Sequence, residues 1–401
     1  MELFTFGVNA QFPPASTLTA EAATILWASW CDVVIASQDH TDLWTVEYRG
    51  TGLTAAQKDH LARDEHIKTA VSKDDSTVHF FGGAMHDGLR GYVISSPDAS
   101  STKNEIIIFA TELEIEEGQP DFQVFPVNES HRIIDINVSS SGDVFLSATN
   151  RVTNQAQILH VSCLSDLQRH LASHSPLHCI TNSTPLASFI PTQWEINATT
   201  STVLDHEGKV YTSTRDPRYS KCLGRAYEGN STFEPVPYLS ETCVAKVASC
   251  GYMSAAVSTD GELFLWGQAC PGSTGELGVL KEVDMSEYNG SEVRSVRTGI
   301  WAEGEQDDFI KCLTVCIEGE EARVHDVAIG NGHLLVAAQV PGCEDGGKQA
   351  VFAAGDNSRG QLGLSTQVGF VEEFEEVLSL RGRCIKQLVA AGWSSFGVAN
   401  I

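Results

Sequence analysis

Residues 342–349 read Gly342-Cys343-Glu344-Asp345-Gly346-Gly347-Lys348-Gln349, the glycine and lysine spacing of a loop that cradles phosphate. Its last position is Gln349 rather than the Ser or Thr that would hold Mg²⁺, and Glu344 and Asp345 repel phosphate oxygens. The segment lies between two strand-like runs with no helix after it to lend N–H donors, so it reads as a hairpin tip. Cys312, Cys316, His325 and His333 supply the atom types of a zinc site. Leu313, Val315 and Ile317 alternate around the cysteines, however, as in a half-buried strand. His60, His66, His160, His170, His174 and His178 stand in no Ser, Cys or Asp constellation, and no Gly-x-Ser-x-Gly elbow occurs. No catalytic or metal-ligating set is assigned, and no cofactor is expected.

Two groups have residue types that suit recognition. Arg215, Asp216, Arg218 and Tyr219 follow the end of a strand, as do Gln268 and, further on, Asp356, Asn357 and Arg359. Loops after equivalent strands of a repeat gather on one face, where arginine and tyrosine make good anchors. The second group is Trp301 with Glu303, Glu305, Asp307 and Asp308, an aromatic beside clustered carboxylates that suits a basic partner.

The elements that position these residues come from a repeat. Its clearest unit runs from Val244 to Gly267: a short strand, the corner Gly251-Tyr252-Met253-Ser254, a second strand, the turn Asp260-Gly261, and a third strand ending in Trp266-Gly267. It closes with Gly275-Glu276-Leu277-Gly278. Asp-Gly between apolar runs predicts a two-residue type I′ hairpin. The template recurs from Ile190 to Gly224, from Val324 to Gly363 with the closing Gly360-Gln361-Leu362-Gly363, and from Ile133 to Ala148. It is more worn from Thr24 to Trp44 and from His66 to Gly83, where Val71-Ser72-Lys73-Asp74-Asp75 is read as a strand and turn. The corner aromatics Trp30, Trp194, Tyr252 and Trp393 are read as packing between repeats.

The chain stops at a corner and inner strand, Gly392-Trp393-Ser394 to Ala399, and begins at the aromatic-Gly strand Leu3-Phe4-Thr5-Phe6-Gly7. Each end is half a repeat, and paired they complete one blade and remove an open edge. About seven units result, with a mean period of roughly 57 residues. The expected fold is all-β, a seven-bladed β-propeller closed by its N- and C-terminal strands, forming a single domain over residues 1–401. Long surface insertions are expected near 54–66, 84–126, 162–186 and 281–323, with short amphipathic helices at Leu53–Arg63 (Thr54 as N-cap) and Ser162–Ser173.

Composition agrees. Apolar residues are 42% of 401, enough for a full core, and 34 glycines against 13 prolines suit many strands joined by turns. The net charge of −26 repels phosphate backbones, so neither nucleic acid nor membrane is an expected partner. The 11 cysteines are odd in number and scattered, and no secretory leader or long apolar span is read. The expected compartment is cytosol or nucleus.

Gly-aromatic-x-Ser at Gly251–Ser254, then Trp266-Gly267, then Gly-Glu/Gln-Leu-Gly at Gly275–Gly278 and Gly360–Gly363 resembles the repeat of the regulator-of-chromosome-condensation family. The resemblance implies seven four-stranded blades with interlocked ends. It also implies a choice of roles, since the founding type exchanges guanine nucleotide on a small nuclear GTPase and others are adaptors. The start Phe6-Gly7-Val8-Asn9 is similar to that of the fungal alpha-tubulin suppressor propellers. Those pair with a small zinc-ribbon protein used in diphthamide and transfer-RNA wobble modification. The function implied is a non-catalytic scaffold, a monomer or one half of a heterodimer, that holds one basic or metal-binding protein. A guanine-nucleotide exchange factor for a small GTPase is the alternative.

Overall fold

The computed structural model describes residues 1–8, 15–17, 20–73, 77–83, 88–95, 104–115, 120–127, 131–151, 153, 155–173, 182–185, 191–273, 275–281, 298–302, 307–342, 347–366 and 368–400. Seven antiparallel sheets make a seven-bladed β-propeller fold. The chain divides into two compact units, Met1 with Thr17–Ile190 and Glu2–Ser16 with Pro191–Ile401. The first holds blade 1 (residues 22–50), blade 2 (78–126) and blade 3 (131–185). The second holds blade 4 (191–235), blade 5 (244–321), blade 6 (323–376) and blade 7 (385–399 with 2–7 and 15–16). Blade 7 is the composite blade expected from the two half-repeats. Glu2–Gly7 pairs with Ser394–Ala399 in unbroken register, Glu2 opposite Ala399 and Gly7 opposite Ser394.

Turn chemistry explains why the repeat reads as it does. The Asp260-Gly261 hairpin is not the two-residue turn expected. Ser258 N–H bonds to Glu262 O and Gly261 N–H to Ser258 O, and only Gly261 takes positive φ, at 86°. This is a three-residue loop with a left-handed last residue. The same bonds close Asp39–Leu43, Ser139–Asp143 and Asp205–Lys209, with Asp42, Gly142 and Gly208 in the left-handed place. The first side chain braces the loop, as when Asp205 Oδ1 accepts from Glu207 and Lys209 N–H, 2.8 and 2.9 Å. The glycine that ends each third strand has a different reason. A Cβ on Gly267, Gly355 or Gly7 would stand 2.2, 2.3 or 2.1 Å from the carbonyl oxygen of Tyr252, Gly332 or Trp393 in the facing corner.

Apolar faces fill the space between successive blades. One cluster joins blades 1 and 2, another 2 and 3, and three more join 4 to 5, 5 to 6 and 6 to 7. The closing glycines serve these seams. Gly224 lies against the Trp266 ring of the next blade and Gly363 against Phe6. Each first strand also carries a bulge near its start, at Pro191/Gln193, Val244/Lys246, Val324/Asp326 and Ile385/Gln387 in the second unit. The residue after the bulge reaches the next blade: Gln193 Oε1 accepts from Val247 N–H at 2.9 Å and Asp326 Oδ2 from Leu388 N–H at 2.6 Å.

Three segments expected as surface insertions carry blade strands instead. Residues 84–126 contain Gly88–Ser95, Asn104–Phe109 and Phe122–Pro126 of blade 2, 162–186 contain Asn182–Pro185 of blade 3, and 281–323 contain Gly299–Ala302 and Ile310–Ile317 of blade 5. Residues read as a strand and turn at 71–75 instead begin at the end of a helix. Three α-helices occur among the described residues: α1 (Ala55–Arg63), α2 (Glu65–Ser72) and α3 (Leu164–Ala172). α1 starts at Thr54 with a reciprocal capping box to Gln57, as its sequence predicts. Buried Gln57 also donates to Ala110 O and Asp121 O of blade 2, tying the helix down at 2.8 and 2.7 Å.

Candidate partner-binding face

In blades 4 to 6 the corner between first and second strands and the loop after the third strand lie at one end of the sheet. The corner bonds link neighbours: Ala198 N–H to Gly251 O at 2.9 Å and Asn331 N–H to Gly392 O at 2.8 Å. The expected binding residues assemble around this line. Arg215 Nη2 donates to Asn197 O at 2.6 Å, which pins an exposed arginine over the blade 4 corner. Arg218 pairs with Asp216 at 2.6 Å and lies over the Tyr219 ring, 5.6 Å from its centre. Tyr219 in turn meets Tyr252 of blade 5 with ring centres 5.0 Å apart. Gln268 N–H reaches Tyr252 O at 3.0 Å, and Asp356 N–H reaches Gly332 O at 2.8 Å. Cys270 Sγ of the loop after the blade 5 third strand lies 3.8 Å from Asn331 Oδ1 of the blade 6 corner, so corners and loops of neighbouring blades touch in turn from blade 4 to blade 6.

The members are not equivalent. Asn357 is buried, and its amide is used within its own loop, donating to Val368 O and accepting from Leu362 N–H, both at 3.2 Å. Arg359 is exposed, and its N–H is held by Gln361 Oε1. Tyr252 packs between blades, as expected for a corner aromatic, yet stays half-exposed, as does Trp393. Trp194 is a correction: it lies mid-strand opposite Val203 and is buried, the blade 4 corner being Ala198-Thr199. The ring-to-ring contact of Tyr219 and Tyr252 was not visible in the sequence, because the two residues belong to different repeats.

The acidic group is less coherent. Trp301 is half-buried on a blade 5 strand opposite Thr314. Asp307 is engaged locally, accepting from Phe309 and Ile310 N–H at 2.9 and 3.0 Å. Asp308 is exposed, and Glu303 and Glu305 lie outside the described residues. The phosphate-loop look-alike connects two strands of blade 6, with Gln339 paired to Gln349, and Lys348 bridges Glu318 at 3.2 Å and Glu320 of the blade 5 hairpin. Residues 343–346 of that motif lie outside the described residues.

The electrostatics of the face suit contact rather than covalent chemistry. The Arg218 hydrogen bonds hold the Asp216 carboxyl below the usual carboxylate range. Burial pushes the Cys222 thiol up to about 11 and raises Cys270 as well, so neither offers a thiolate at neutral pH. Burial and the neighbouring Tyr219 raise Tyr252. Among the described residues, no three His, Cys, Asp or Glu side chains gather as metal ligands. No helix among them is long and apolar enough to cross a membrane.

Known proteins resemble this chain in fold. Prp20p of Saccharomyces cerevisiae superposes with a TM-score of 0.52, covering 99% of this chain and 91% of Prp20p at 10% identity. Yeast RCC1 (Prp20) from its complex with Kap60 gives 0.50, covering 94% and 80% at 11% identity. The fold is that of an RCC1-like repeat propeller. A stretch of 169 residues, 41% of this RCC1-like chain, is 28% identical to the human probable E3 ubiquitin-protein ligase HERC6 and spans 13% of that protein's length. No family model matches the chain.

Proposed function

We propose that this RCC1-like propeller is a non-catalytic scaffold that holds one protein partner on the corner face of blades 4 to 6. The Tyr219–Tyr252 pair carries the reading. Two half-exposed aromatics lie in contact across a blade seam, with exposed Arg215 and Arg218 beside them. Tyrosine and arginine supply large contact area with a polar tip, the composition of interface anchors. The net charge of −26 favours a basic partner through long-range attraction. The finer reading, a small metal-binding partner of the kind used in diphthamide and transfer-RNA modification, rests on the Phe6-Gly7-Val8-Asn9 start and its likeness to the tubulin-suppressor propellers.

The alternative is guanine-nucleotide exchange on a small GTPase, favoured by the fold likeness to Prp20p, whose binding properties to Gsp1p and histones have been described. One assay separates the two. The purified chain is mixed with nucleotide-loaded small GTPases and nucleotide release is followed. Acceleration at catalytic amounts sinks the scaffold reading, whereas stoichiometric complex formation without release supports it. Tyr219→Ala should weaken capture of the partner about tenfold or more, the loss of one anchor, with the melting temperature nearly unchanged. Partner capture equal to wild type in both Tyr219→Ala and Arg218→Ala would move the contact off this face.

A further inference from the structure

At the end of the first strands away from the corner face, the bulges of blades 5, 6 and 7 each carry a cationic or protonatable residue. Each bulge offsets two residues: Ala245 and Lys246, His325 and Asp326, Lys386 and Gln387. Asp326 is the acid among them, and its acceptors are in use. It is 6% exposed and receives Val327 N–H at 2.9 Å, Leu388 N–H at 2.6 Å and the Lys246 ammonium. Lys246 keeps 31% of its side chain exposed, and Asp326 is its one ion-pair partner among the described residues. Lys386 and His325 are exposed and have no hydrogen-bond or ion-pair partner among the described residues.

This arrangement runs against the composition. The chain has 26 Lys and Arg against 52 Asp and Glu, so an isolated cation finds an acid easily. Here one occupied carboxylate, Asp326, has a cation from each neighbouring blade about it: blade 5 gives Lys246 from the position equivalent to Asp326 itself, and blade 7 gives Lys386 from the position equivalent to His325, two residues before the Leu388 N–H that Asp326 accepts. Desolvation among the inner strands lowers the His325 pKa, Asp326 raises it, and the ammoniums of Lys386 and Lys246 lower it further. Like charges held together in this way are relieved by an anion.

We propose that Lys246, His325 and Lys386 form an oxyanion site that takes a phosphate group. Donors arrive from three separate strands, which matches the three or four oxygens of a tetrahedral oxyanion better than the two of a carboxylate. His325 takes up a proton as the anion binds, because the bound charge favours the imidazolium. The site lies at the other end of the inner strands from Tyr219 and Tyr252, and it stands whether or not the scaffold reading does.

The test is titration calorimetry of the full chain at low ionic strength with sulfate, inorganic phosphate and O-phosphoserine. Sulfate does not titrate near neutrality, so a binding heat that changes with the ionisation enthalpy of the buffer reports the His325 proton directly. Saturable sulfate binding with proton uptake at pH 7 is expected. His325→Asn should abolish the uptake. Lys386→Gln should weaken binding about tenfold or more, while Lys386→Arg stays within about threefold. Phosphoserine and free phosphate binding alike point to a free-phosphate site, and phosphoserine binding much more tightly points to a phosphorylated segment; both support the proposal. No saturable heat with any of the three anions overturns it, as does Lys386→Gln binding like wild type. An unchanged melting temperature in Lys386→Gln shows that lost binding is not lost folding.

Discussion

His333 is fully buried at the blade 6 corner, with its Nε2 2.9 Å from Ser395 Oγ of blade 7. Burial pushes its pKa down to about 4, from 6.5 in a free chain. The native state therefore refuses a proton that the unfolded chain accepts between those values. Its contribution, about 3 kcal/mol, is complete above pH 6.5 and is lost as pH falls toward 4. Urea melts from pH 7 to 4 should show that decline, and His333→Gln should flatten it. Asp135 has the opposite sign. Burial raises its carboxyl to about 7 from 3.8, so the stability it gives below pH 4 is lost as pH rises through 7. Asp135→Asn should raise the melting temperature at pH 8 and leave it unchanged at pH 4. Neither group was legible in the sequence, where His333 looked like a stray metal-ligand candidate and nothing set Asp135 apart. Titration behaviour depends on what surrounds a side chain, and here the surroundings are the buried corner for His333 and the bulge of an inner strand for Asp135.

At the scale of elements, much was legible because it repeats. Trp266-Gly267, Asp260-Gly261 and Gly360–Gly363 each mark a turn whose backbone demands that residue. What escaped were segments whose signal is spread thinly. Gly88–Ser95 and Asn104–Phe109 are buried on both faces, so they lack alternation and read as an insertion. The bulge was also present as a pattern, apolar-x-polar-apolar in Val244-Ala245-Lys246-Val247, Val324-His325-Asp326-Val327 and Ile385-Lys386-Gln387-Leu388. It has no meaning until the polar residue is seen to reach the next blade. The two roles of glycine can be separated within blade 6. Gly355 and Gly360 both have positive φ, 105° and 76°, but a Cβ on Gly355 meets Gly332 O at 2.3 Å while one on Gly360 meets nothing within 4 Å. Gly360→Ala should cost about 1 kcal/mol, the left-handed penalty alone, and Gly355→Ala should cost about 3 kcal/mol or more. Denaturant midpoints of the two variants check the difference.

For the whole molecule, the decisive feature is that Glu2–Gly7 and Ser394–Ala399 share a sheet. Phe4 and Phe6 are 4% and 8% exposed there, packed with Leu362, Val371 and Leu388 in the core of blades 6 and 7. Deleting residues 1–8 should remove roughly 5 kcal/mol of apolar burial and bare the Ser394–Ala399 edge. Faster amide exchange at Ser394–Ala399 checks this, and a peptide of residues 1–8 added in trans should restore protection. The same pairing sets an order of events during synthesis. Glu2–Gly7 is made before the other blade strands and its partner Ser394–Ala399 after them, so it waits unpaired while the other blades are made. Loop closure over that separation is slow, and an apolar strand kept waiting is open to other edges. Cells producing this chain would therefore need to shield Glu2–Gly7 until Ser394–Ala399 has been made, which makes the nascent protein a client for chaperones that recognise short apolar segments.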